Sequence, residues 1–119
     1  MRFLVMVKHD GKLYETPPKR ADMEAMGKYN QTLRDAGVLI TVDGLLAPSY
    51  GARVTYKNGE ATVKDGPFTE SKELVAGFWI LEVKSNEEAI DWTRHIPFRS
   101  GESVEIRRIA EMSDFPDLK

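Results

Sequence analysis

Residues 3–7 (Phe-Leu-Val-Met-Val) are apolar at every position. Successive side chains of an extended chain point to opposite faces, so this run predicts a strand with two apolar sides. Phe3, Val5 and Val7 share one side, Leu4 and Met6 the other. If helices cover one side of the sheet, the second apolar set predicts a partner surface. Residues 8–20 are polar and contain Pro17-Pro18, which reads as a loop. The spacing of Met23, Met26, Gly27, Asn30 and Leu33 then predicts a helix from about residue 22 to 36, with Asp22 as N-cap and Gly37 as the stop. Methionines in such a stripe read as core filler. Gly27 in mid-helix costs about 1 kcal/mol against alanine, and a close backbone approach is the expected compensation.

Residues 38–46 predict a second strand. Residues 53–57 and 60–64 flank Asn58-Gly59, the dipeptide that two-residue hairpin turns prefer, and place Lys57 beside Glu60. This hairpin reads as an insertion that projects from the main sheet. Residues 74–84 predict the next core strand, with Trp79, Leu81 and Val83 on one face and Phe78, Ile80 and Glu82 on the other. Ser85-Asn-Glu-Glu88 has the form of a capping box and opens a second helix, which runs towards Ile96 and ends at Pro97. Residues 103–109 predict the last core strand, and the polar tail to Lys119 has Phe115 as its anchor. Without the hairpin the order is the split β-α-β-β-α-β of ferredoxin-like α+β domains. Both helices then cover one face of an antiparallel sheet. The opposite face is apolar, and a two-fold homodimer packing two such faces together forms an α+β barrel.

At 119 residues the chain makes a single domain, residues 1–119, large enough for an ordinary core. Seventeen basic and nineteen acidic residues leave a net charge of −2, with no basic arm, so nucleic acid is not an expected partner. The absence of cysteine excludes disulfides, thiolate metal sites and thiol catalysis, and suits a cytoplasmic location. The apolar run near the N-terminus is too short for a leader's apolar segment, and no run approaches a membrane span.

The densest chemistry sits in residues 65–73, Asp-Gly-Pro-Phe-Thr-Glu-Ser-Lys-Glu. Gly66 and Pro67 make a tight turn and Asp65 can hydrogen-bond within it. Glu70, Lys72 and Glu73 follow at the mouth of a buried strand, where loops carry function. The plain alternative is a solvated turn. Together with Glu24-Ala-Met-Gly-Lys-Tyr-Asn30, Gly44-Leu-Leu-Ala-Pro-Ser49, Ala76-Gly-Phe-Trp79, Glu87-Glu-Ala-Ile-Asp-Trp92 and Glu105-Ile-Arg107, this run resembles the DGPF branch of the YCII-related domain family over nearly the whole chain. The resemblance implies the dimeric α+β barrel. It also implies that any site uses Asp65, Gly66, Pro67, Phe68, Glu70, Lys72, Glu73 and Glu105. The YCII proteins proper resemble a histidine–aspartate design, with the histidine on the first helix and the aspartate before the proline ending the second. Met26 and Ile96 hold those places here, and neither moves a proton at neutral pH. Barrels of this kind include monooxygenases, lyases and isomerases. Some DGPF proteins resemble partners of extracytoplasmic-function sigma factors, which implies a regulatory alternative.

In the last strand, Val104 and Ile106 share one face, while Glu105 and Arg107 share the other with Ile109. If the apolar pair faces the helices, the charged pair faces the barrel interior, where it must pair or bind a ligand. The candidate site therefore has Asp65 as an acid–base group with Glu105 or Glu70 as its partner, and Glu70, Lys72, Arg107 and Phe68 as ligand-binding groups. The plain alternative is an internal Glu105–Arg107 pair. Glu82, near a strand end, reads as solvated. His9 and His95 read as surface residues, and no spacing of histidines supports a metal. No glycine-rich phosphate loop or nucleophile elbow appears, and no cofactor is implied.

Overall fold

The computed structural model describes residues 1–12, 16–65, 74–98 and 101–118, with only the backbone of Asp65 and Leu118. The main elements are β1 (Arg2–His9), α1 (Arg20–Asp35), β2 (Leu39–Gly44), β3 (Ala52–Lys57), β4 (Glu60–Asp65), β5 (Leu74–Glu82), α2 (Asn86–Thr93) and β6 (Ser103–Arg108). Four strands form an antiparallel sheet in the order β2-β5-β1-β6, and β3 and β4 form a separate ribbon. Two helices and antiparallel sheets in this order are compatible with a ferredoxin-like α+β fold. No described helix is long and apolar enough to cross a membrane.

The alternation in β1 decides which side of the sheet is the core. Phe3, Val5 and Val7 are buried with Trp79, Leu81 and Val83, against Tyr29 and Leu33 of α1 and Ala89 of α2. Val104 and Ile106 of β6 pack on the edge of this cluster. The other side carries two rows that cross all four strands in register. One is Thr41, Ile80, Leu4 and Arg107; the other is Asp43, Phe78, Met6 and Glu105. Among the described residues no helix covers these rows, so the two-sided apolar pattern of β1 persists in the folded chain.

Helix α1 starts earlier than its sequence signals suggest. Lys19 is the N-cap, without a side-chain cap, and Asp22 lies inside the first turn, where its charge meets the positive end of the helix. Tyr29 and Leu33 carry most of the burial, Met26 packs partly, and Met23 is 61% exposed one turn beyond the packed part of the stripe. Gly27 has open space where a Cβ would stand, so the expected close approach is absent. Gly37 does end the helix, at φ +74°. At α2, Ser85 Oγ accepts from the Glu88 N–H at 3.1 Å, as a capping box requires. The return bond is displaced by one residue: the Glu88 carboxylate accepts from the Lys84 N–H at 3.1 Å.

The ribbon turns through Asn58 at φ 52° and Gly59 at φ 81°, the two left-handed positions of a type I′ turn. Its register sets Val54 against Val63 and Tyr56 against Ala61 on one side, with Lys57 against Glu60 on the other. Residues 51–64 are all exposed, so the ribbon stands away from the core. Ion pairs hold the tail: Arg2 Nε lies 3.0 Å from Glu111, and Arg108 makes a two-pronged contact with Asp114. Phe115, expected as the anchor, is 46% exposed.

Candidate functional site

A cavity of about 390 Å³ lies at the end of the sheet where β2 stops and β5 begins. Met26 and Asn30 of α1, Val42 of β2, Phe78 and Trp79 of β5, and Phe98 beyond α2 contribute walls, and Asp43 stands among them. Two facing glycines, Gly44 and Gly77, leave the space unfilled. Gly77 is dictated by contact: a Cβ there would stand 2.9 Å from the Asp43 carbonyl oxygen and 3.3 Å from the Gly44 Cα. Trp79 is the fixed wall. Tyr29 and Phe98 meet it edge-on, with ring centres 6.0 and 6.5 Å away. Its indole N–H donates to Asn30 Oδ1 at 2.8 Å. The Tyr29 hydroxyl donates to the Trp92 carbonyl at 2.8 Å, and burial pushes its pKa up to about 12, so it remains a neutral donor.

The uncovered side of the sheet carries a charged cluster. Lys8 Nζ lies 3.0 Å from Glu105 Oε1, and Arg107 reaches Glu105 Oε2 at 3.5 Å. The Lys8 hydrogen bond and charge, with a smaller contribution from Arg107, hold the Glu105 carboxyl below the usual glutamate range. Glu105 is therefore a standing anion at neutral pH. Its chief partner is Lys8, one strand away; Arg107, its neighbour in sequence, is the more exposed and more distant cation. Glu105 and Arg107 do not line the cavity. Glu105 is two strands from Phe78 in the same cross-sheet row, about 10 Å at ordinary strand spacing. A carbon-13 NMR titration is expected to give Glu105 a midpoint below that of a free glutamate, and Lys8→Met should raise it. The pair stabilises folding above the ordinary glutamate range and loses that effect as pH falls through the depressed value. An unchanged midpoint in Lys8→Met contradicts this assignment.

Asp65 is described only as the backbone end of β4, paired with Ala52, and Phe68, Glu70, Lys72 and Glu73 lie outside the described residues. Glu82 is exposed at the end of β5, as expected. His9 is not a surface residue: the alternation of β1 carries it onto the helix-facing side, where it is 7% exposed. Its Nδ1 accepts from the Gly11 N–H at 2.9 Å, and Asp10 turns to the Lys12 N–H. His95 is exposed, with Nδ1 2.8 Å from the Asp91 carbonyl. A larger groove, about 520 Å³, runs between α1 and α2 past Tyr29, Trp92 and His95, away from the charged cluster. Among the described residues, no three His, Asp or Glu side chains converge as a metal site.

Asn30, Phe78, Trp79 and Lys8 were not candidate site residues by sequence reasoning. Lys8 shares period 2 with Leu4 and Met6, so its side of the sheet was legible; its pairing with Glu105 needed the register. Residues 1–113 match the YCII-related domain. An uncharacterised protein of Rhizobium meliloti (strain 1021) is 30% identical over 115 residues, covering 92% of this chain and 93% of that relative. The match spans every strand and both helices, and with them the cavity and the charged cluster, so the chain belongs to the YCII-related domain family.

Proposed function

We propose that this chain is a small-molecule-binding domain of the DGPF type that works as a cytoplasmic homodimer. One observation carries the reading: the aromatic cavity shares Asp43 and Phe78 with the uncovered side of the sheet. Two copies packing those sides together would cover Leu4, Met6, Phe78 and Ile80 and close an α+β barrel. Closure would also withdraw Lys8, Glu105 and Arg107 from bulk water near the cavity mouth, where each charge acts more strongly. Arg107 then serves as a ligand-binding cation. The signature residues Phe68, Glu70 and Lys72 precede β5, whose Ala76 and Gly77 line the cavity, and are assigned to the same site.

The same pocket supports a second reading, a carboxylate-based acid–base enzyme. Glu105 is fixed as an anion, so the proton carrier has to be another group, and Asp65 is the assigned one. Met26 lines the cavity where the family resemblance places a histidine, which favours binding without histidine–aspartate chemistry. A regulatory accessory role is the form that binding without turnover would take. The test is a titration of nitrogen-15-labelled protein with indole and acetanilide. The amides of Val42, Gly44 and Gly77 and the Trp79 indole N–H are expected to shift. Shifts confined to Trp92 and His95, or no shifts, would sink the reading.

A further inference from the structure

We infer that Asn30 sets the ligand specificity of this cavity, offering a fixed amide donor that selects small, neutral, largely apolar molecules bearing a carbonyl oxygen. The inference rests on the proposed binding role of the cavity. An indole nitrogen can only donate. The Asn30 atom that Trp79 Nε1 meets at 2.8 Å is therefore the amide oxygen, which fixes the amide's orientation by chemistry. The NH₂ group is left on the other side of a residue that lines the cavity. Among the described residues, no group accepts a hydrogen bond from it.

The donor is held in place twice over. Asn30 lies within α1, and Trp79 is 4% exposed and wedged between the edges of Tyr29 and Phe98. A donor oriented before the ligand arrives costs little further ordering on binding. Around it stand Met26, Val42 and Phe98, which offer apolar contact. A hydrocarbon filling this space would cover the NH₂ group without satisfying it, which is penalised. A neutral amide donor brings no charge to offset a carboxylate's loss of water, so a ketone or amide oxygen is the matching acceptor. A volume of about 390 Å³ is at the lower end for ligand pockets and suits a single-ring molecule.

Acetophenone and ethylbenzene share a shape and differ in the carbonyl, and they are the probes. Chemical-shift titration of the full chain is expected to show acetophenone binding about tenfold more tightly, the scale of one well-made hydrogen bond. Asn30→Asp keeps an oxygen for the Trp79 N–H but removes the donor. It should retain the fold and lose the preference. Asn30→Leu should lose the preference as well, and Trp79→Phe, which frees the amide to rotate, should reduce it. Equal affinity of the two probes for the wild-type chain overturns the inference while the cavity reading stands. So does full preference in Asn30→Asp. If neither probe moves the cavity amides, the binding role and the inference fall together.

Discussion

Trp79→Ala is expected to cost about 3–5 kcal/mol of folding stability, a large share of the roughly 5–15 kcal/mol that holds a domain together. The ring is the largest side chain in the core cluster and is 4% exposed. Its removal leaves a hole between Tyr29 and Phe98 and strips Asn30 Oδ1 of its donor. Surrounding helices and strands relax only partly into such holes, so the loss exceeds simple transfer of the ring to water. Trp79→Phe keeps an edge for Tyr29 to meet and loses chiefly the hydrogen bond, so about 1–2 kcal/mol is expected. Urea unfolding followed by far-ultraviolet circular dichroism reads both. A wild-type midpoint for Trp79→Ala would show that the wedge carries no stability.

Gly77→Ala and Gly27→Ala should move stability in opposite directions. At Gly77 the added methyl meets only backbone, the Asp43 oxygen and Gly44 Cα, so no flexible side chain can yield. The strain is relieved only if the edge strand β2 shifts, and overpacking of this kind costs about 1–3 kcal/mol. Because Val42 and Asp43 ride on β2 and line the cavity, probe binding should weaken together with stability. At Gly27 the same methyl points into open space within a helix. The helix propensity of alanine and the reduced freedom of the unfolded chain then add up to about 1 kcal/mol. Thermal melts should show Gly27→Ala higher by roughly 4 °C and Gly77→Ala lower than wild type. Melting temperatures that shift the same way contradict the assignment of these two sites.

Period 2 made the faces of β1, β5 and β6 legible, because successive side chains of an extended chain take opposite sides whatever their type. The ribbon was legible from Asn58-Gly59, since few dipeptides tolerate two left-handed residues. What needed register or packing did not show. The Lys8–Glu105 pair joins residues 97 apart in the chain, and Asn30 meets Trp79 across 49, through the seating of a helix on a sheet. His9 misled because its type is usually half-exposed, whereas the strand's alternation, followed one step further, already placed it on the buried side. Asp22 misled for a similar reason: a good capping residue was present, but the helix begins at Arg20 behind a lysine that caps with backbone alone. The loudest motif, residues 65–73, ends just before β5, close in sequence to the cavity-lining Ala76. Apart from the backbone of Asp65 it lies outside the described residues, so the candidate chemistry rests on Asn30, Trp79, Phe78, Asp43 and the Lys8–Glu105 pair.

The proposed enclosure of the Asp43–Phe78–Met6–Glu105 row by a second copy is the claim from which the site's chemistry follows. Sedimentation velocity of the full chain at micromolar concentration tests it most directly. The expected species has twice the 13.5 kDa chain mass, and Ile80→Glu, which sets a charge in the middle of the uncovered side, returns it to a single chain. A wild-type protein that sediments at 13.5 kDa throughout the micromolar range contradicts the account.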